Sequence, residues 1–144
     1  MPGYLGIDPG KAGGIALLEH QSIAQAWPMP DSEADLWALL EDCKAQGVVL
    51  ALLERAQAYP GMGRSGAFNY GAGYGALRMA LAGLQIPFEL VSPAKWQSAM
   101  RCKSGGDKNV TKRKAQELFP ALRITHKIAD ALLIAEYGRR VYGR

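Results

Sequence analysis

The sequence predicts an α/β protein with one mixed five-stranded sheet, strand order 3-2-1-4-5, flanked by helices. Three observations lead there. Apolar runs at 4–8, 13–19 and 22–27 are joined by connections too short for a helix, so they should form an antiparallel meander. Continuous apolar runs at 48–54 and 86–92 suit strands buried on both faces, as in a parallel sheet. Helical patterns separate these later runs, and right-handed crossovers then set strand four beside strand one and strand five beside strand four.

The elements follow in order. "YLGID" leads into a Pro9–Gly10 turn, and "GGIALLE" and "SIAQAW" complete the meander. In "PDSEADLWALLEDCKAQG", Asp31 or Ser32 can cap a helix. Leu36, Leu39 and Leu40 have helical spacing, and Gly47 stops it. "VVLALLE" is the fourth strand and ends in Glu54. A glycine-rich loop then leads to a helix over about 65–84, in which Ala67, Gly71 and Gly75 recur every four residues. Each glycine costs a helix roughly 1 kcal/mol against alanine, so this small-residue face should pack closely, either on the sheet or on a second subunit. "IPFELVS" is the fifth strand, and Pro93 suits the first position of the next helix. A loop over 102–109, a short basic helix ending at Pro120 and a final helix from His126 close the chain. The final helix has Ile128, Leu132 and Ala135 on an apolar side.

Composition narrows the function. The 144 residues suggest one domain over 1–144, and 49% apolar with 21% charged residues are globular values. No repeat or low-complexity segment stands out, no apolar run is long enough to span a membrane, and no signal-peptide pattern opens the chain. Cys43 and Cys102, far apart and alone, fit free thiols, and a cytoplasmic location is expected. The net charge is +4. Residues 95–114 hold Lys95, Arg101, Lys103, Lys108, Lys112, Arg113 and Lys114 against a single acid, Asp107. Such a cluster is either a polyanion contact or a solvated face.

Three carboxylates carry the chemical reading. Asp8 ends the first strand and Glu54 the fourth, so adjacent parallel strands bring both to one edge of the sheet. Ligands of open α/β sheets bind at that edge. Two such acids repel each other, and a divalent cation relieves the repulsion. Oxygen donors suit Mg²⁺, with Mn²⁺ as a substitute. Asp130 lies in the apolar stretch "IADALLIA", four residues after His126, and an i, i+4 pair shares a helix face. A cluster of Asp8, Glu54, His126 and Asp130 can hold two metals about 3.5–4 Å apart, the arrangement of phosphodiester hydrolysis. Taken singly, Asp8 is a turn residue, Glu54 an ion-pair partner, Asp130 a helix-start acid and His126 a cap. Their coincidence favours chemistry. His20 reads as surface.

"GIDPG", "LLERAQAYPGMGRSGAFNYGAGYG", "VSPAKWQ" and "HKIADALLIAEYG", in that order, resemble the RuvC-like Holliday junction resolvases, above all the short forms of phages and prophages. The resemblance runs from Tyr4 to Tyr137. It implies a ribonuclease H-like fold, Mg²⁺ or Mn²⁺ held by Asp8, Glu54 and Asp130, and a homodimer that nicks two strands of a four-way junction symmetrically. Cellular members of the family usually carry their last ligand three residues before the position of Asp130. Here that residue is Lys127, which cannot ligate while protonated and is expected to face a phosphate. His126 is then expected as ligand or general base. Lys108, Lys112 and Arg113 resemble the family's basic DNA-contacting segment, which Lys95, Arg64 and Lys11 would extend. Tyr59 or Phe68 would stack on an unpaired base, although Phe68 also reads as a core residue. The resemblance further implies a dimer interface near Ala67, Gly71 and Gly75. A general flap or Y-branch nuclease and a non-catalytic junction-binding protein are the alternatives. A two-domain ATPase needs more chain than 144 residues.

Overall fold

The computed structural model describes residues 2–19 and 23–143. Its elements are β1 (Gly3–Asp8), β2 (Gly14–Glu19), β3 (Ile23–Pro28), α1 (Glu33–Ala45), β4 (Val48–Glu54), α2 (Arg64–Gly83), β5 (Phe88–Val91), α3 (Pro93–Ala99), α4 (Lys108–Leu118) and α5 (His126–Tyr142). His20, read above as surface, and Ser22, read as the first residue of the third strand, lie outside the described residues. The five strands form one sheet in the order β3-β2-β1-β4-β5. β1 is antiparallel to β2 and parallel to β4, and β5 is parallel to β4. This is the predicted topology.

Alternation along the strands divides the core in two. Leu5, Ile7, Ile15, Leu17, Ala51 and Leu53 share one buried cluster with Leu36 and Leu40 of α1 and Leu77 and Leu81 of α2. Ala16, Leu18 and Leu52 point to the other side, where they join Trp96 of α3, Ala115 of α4 and most of α5. Period-two burial of this kind is what a sheet covered on both faces requires. No helix among the described residues is long and apolar enough to cross a membrane. Cys43 and Cys102 are both buried free thiols.

α5 lies directly against β1. A Cβ built on Gly6 would lie 2.1 Å from the Ala131 carbonyl oxygen and 2.3 Å from the Ala135 nitrogen. Only glycine lets the helix backbone lie directly on the strand. From Ile128 to Gly138 every residue of α5 is buried except Asp130. The periodicity predicted one apolar side, but the helix is enclosed nearly all round because α3 and α4 cover the side turned away from the sheet.

Three further expectations are corrected. The Ala67–Gly71–Gly75 face does not pack on the sheet, since a Cβ on Gly71, Gly73 or Gly75 meets nothing within 4 Å. Only Leu77, Ala80 and Leu81 of α2 are buried, so its first half is mostly exposed and reaches the body through Tyr70. Phe68 is accordingly 77% exposed and not a core residue. Finally, α4 begins at Lys108, inside the segment read as loop. The Asp107 carboxylate accepts from the Asn109 N–H at 2.9 Å and caps the helix two residues early.

Candidate active site

The register of β1 and β4 positions the first two acids. Gly6 pairs with Leu52 and Ile7 with Leu53. Gly6 and Leu52 face α5, so Asp8 and Glu54, each two residues further along, face it as well. Asp130 stands in the second turn of α5 on the same side of the sheet. All three acids line one open cleft of about 570 Å³ at the C-terminal edge of β1 and β4. Lys11 of the turn after β1, Lys108 at the start of α4, Tyr59 of the glycine-rich loop and Tyr70 of α2 line it too.

The sequence builds the cleft's floor from a turn. After Asp8, Pro9 and Gly10 reverse the chain, and Gly10 adopts φ +101°, which glycine tolerates and a β-branched residue does not. The Tyr70 ring lies over this turn, with its Cε1 3.1 Å from where a Gly10 Cβ would stand.

Charge in the cleft is poorly compensated. Burial pushes the Asp8 carboxyl up from 3.8 to about 8, and the charges of Glu54 and Asp130 add to the rise, against a smaller opposing pull from Lys108. Burial also raises Glu54, and Asp130 adds to this. A hydrogen bond from Trp96 and the charge of Lys108 counter it only in part. That bond runs from Trp96 Nε1 to Glu54 Oε2 at 2.7 Å. Among the described residues the only ion pairs are Glu136 with Arg139 and Arg140, which include none of the cleft acids.

The donor set suits a hard divalent cation. Three carboxylates supply only oxygen, and a cation would offset both the burial and the mutual repulsion that raise the Asp8 carboxyl. No group of three or more His, Cys, Asp or Glu side chains among the described residues is already gathered at metal-holding distance. The acids therefore share a cleft and a field, while their oxygens stand apart.

The other predicted site residues divide. Lys11, Lys108 and Tyr59 line the cleft. His126 does not; it is exposed as the first residue of α5. Four residues correspond to about 6 Å along a helix axis, so sharing a face with Asp130 still leaves His126 one turn further out. Lys127, next to it, is exposed and outside the lining. Arg64, Lys95 and Arg113 are exposed on the surrounding surface, and Lys112 is half-buried. Phe68 lies beyond the lining on α2.

Tyr70, Thr111, Gln97 and Ser104 line the cleft without having been singled out, and Trp96 holds one of its acids. Single polar residues in a glycine-rich helix, a short helix or a loop carry no periodic signal. Trp96, in "VSPAKWQ", was visible only as part of a motif, since an apolar residue on a short helix reads as core.

No protein-family model and no curated protein matches the chain. Solved structures do match. RuvC of Thermus thermophilus in complex with a Holliday junction substrate superposes with a TM-score of 0.65 at 16% identity, over 99% of this chain and 97% of that one. A second Thermus thermophilus RuvC structure gives 0.61 at 18% identity, over 96% and 95%. With its 3-2-1-4-5 sheet and its helices on both faces, the chain has the ribonuclease H-like fold of RuvC.

Proposed function

We propose that this chain is a metal-dependent endonuclease that resolves four-way DNA junctions, cutting two strands symmetrically as a homodimer. The observation that carries the reading is the meeting of Asp8, Glu54 and Asp130 in one cleft with Lys108 and Lys11 at its wall. The fold shared with a RuvC solved on a Holliday junction substrate supports it.

Asp8, Glu54 and Asp130 would hold Mg²⁺ or Mn²⁺. A divalent ion bound there supplies an activated water and neutralises charge on the phosphate under attack. The chain's own residues do the rest. Lys11 and Lys108 draw the scissile phosphate into a cleft that would otherwise repel it. Arg64, Lys95, Lys112, Arg113 and Lys127 extend the positive surface along the DNA arms, where phosphate contacts set affinity without reading sequence. Tyr59, 63% exposed on the loop at the cleft, offers a face for an unpaired base at the junction centre, and Phe68 a second one on α2. The bare flank of α2 at Gly71 and Gly75 is available to a second copy. The two buried free thiols accord with a reducing cytoplasm.

The test is cleavage of a synthetic four-way junction beside matched duplex, flap and Y-shaped DNA, with Mg²⁺, with Mn²⁺ and with chelator. Paired symmetric nicks in the junction alone, lost with chelator, are expected. Equal cutting of flap and Y substrates would make it a general branch nuclease. Tight junction binding with no cutting under any metal would make it a binding protein.

A further inference from the structure

We infer that Trp96 is a positioning residue of this site, whose indole N–H fixes the carboxylate of Glu54 for its work in the cleft. The inference rests on the proposed metal-dependent reading and adds a residue to it.

Trp96 is fully buried. A buried indole N–H needs an acceptor, and this one has a single partner, Glu54 Oε2 at 2.7 Å. Among the described residues no other side chain donates to Glu54, so the bond secures one oxygen and leaves Oε1 for the cleft. Phenylalanine or leucine would be smaller and would carry no donor. Besides its volume, what tryptophan brings to this position is the bond to the acid.

The donor is itself immobile. β5 pairs with β4 with Glu54 opposite Val91. The chain leaves β5 directly into α3, which brings residue 96 back beside the end of β4. Ser92 caps α3, its hydroxyl oxygen accepting from the backbone N–H of Lys95 at 3.2 Å and its carbonyl from the backbone N–H of Trp96 at 3.2 Å, and Pro93 holds the first helical position. The indole is packed in the buried cluster that includes Leu52, Met100 and Leu132. A long, flexible glutamate at a strand end is thus anchored to a rigid ring. Asp8, with one fewer side-chain torsion and a place against the sheet, has less need of such a device.

The experiment uses the full chain with Trp96→Phe, which keeps an aromatic ring and removes the donor, and with Met100→Ala as a packing control from the same cluster. Mn²⁺ half-saturation is read twice, from the cation-induced rise in Tm and from junction cleavage, and junction Kd is measured in Ca²⁺. Trp96→Phe should raise the Mn²⁺ half-saturation about tenfold, as loss of a partner that orients a metal ligand does elsewhere. Junction Kd should stay unchanged, and saturating Mn²⁺ should restore most of the cleavage. Met100→Ala should lower Tm without moving the half-saturation. If Trp96→Phe does not fold, site-specific replacement of Trp96 by 3-benzothienylalanine keeps the bicyclic shape and drops only the N–H, with the same shift expected. An unchanged half-saturation in the donor-free protein, or an equal shift in Met100→Ala, overturns the inference and leaves Trp96 as packing. A wild-type chain that neither responds to Mn²⁺ nor cuts the junction overturns the functional reading along with it.

Discussion

The two longest helices of the molecule, α2 and α5, are treated in opposite ways. α5, 17 residues long, is pressed onto β1 so closely that Gly6 admits no side chain, and its middle is enclosed except at Asp130. α2, 20 residues long, buries only Leu77, Ala80 and Leu81, and leaves most of its first half exposed, with bare glycines along one flank. Both contain small residues, with different consequences. In the contact of α5 with β1, a glycine allows backbone to touch backbone and fixes where an acid stands. On α2, glycines create a surface that nothing within the chain fills. The rigid helix carries a candidate ligand. The open one carries Tyr70 over the floor of the cleft and presents Phe68 outward.

The largest expected effect breaks the α5 contact. Gly6→Val should leave almost no folded protein by circular dichroism, since its Cβ would stand 2.1 Å from the Ala131 carbonyl oxygen, far inside van der Waals contact. Asp8→Asn should fold, lose junction cleavage beyond detection on a gel, and bind the junction as tightly or more so, because one negative charge facing the phosphates is gone.

Asp8 also gives a pH signature. Its proton is held to about pH 8 in the folded chain, against an ordinary value of 3.8. Within that window the folded state binds more protons than the unfolded one, so this contribution to stability is whole at the acid end and is lost as pH rises to about 8. Metal-free wild type should therefore lose stability, on the order of a few kcal/mol, between pH 5 and pH 8 relative to Asp8→Asn. Mn²⁺ at pH 8 should raise the Tm of wild type and leave the Asn variant unmoved. Equal Tm profiles for the two proteins would mean that Asp8 carries no charge penalty.

Next come truncations on the two helices. Leu132→Ala, in the enclosed part of α5, should cost about 2–5 kcal/mol by urea melting, whereas Phe68→Ala should cost less than about 0.5 kcal/mol. A large loss at Phe68 would show that the first half of α2 is packed after all. The smallest effects are the most selective. Gly71→Ala should stabilise the monomer by up to about 1 kcal/mol, and if copies of the chain pack through this flank it should weaken self-association in sedimentation. Lys108→Ala with Lys112→Ala should weaken junction binding and reduce its salt slope by roughly one to two.

How much of this was legible beforehand differs by element. The sheet order followed from connection lengths and the handedness of crossovers, and the strand at 48–54 matched to the residue. Asp8 and Glu54 were readable as a pair because strand ends are visible in an apolar pattern and adjacency followed from topology. Asp130 stood out as an acid inside an apolar run. The sequence pattern set His126 on the face of Asp130 but did not show that it lies outside the cleft lining, because it gives the angle around a helix and not the position along the axis relative to a sheet edge. It misjudged Phe68 because an aromatic residue among glycines looks the same whether the helix is covered or bare. Lys108 was set in a loop because an Asp cap two residues early differs little from loop composition.

Composition, periodicity and chain connectivity thus determined the topology and which edge of the sheet gathers acids, because hydrophobic burial and the handedness of crossovers act on every protein alike. Only the tertiary structure decided which half of α2 is buried, how closely α5 lies on β1 and which donor holds Glu54. Those depend on distances between segments far apart in the chain, and no local pattern carries that information.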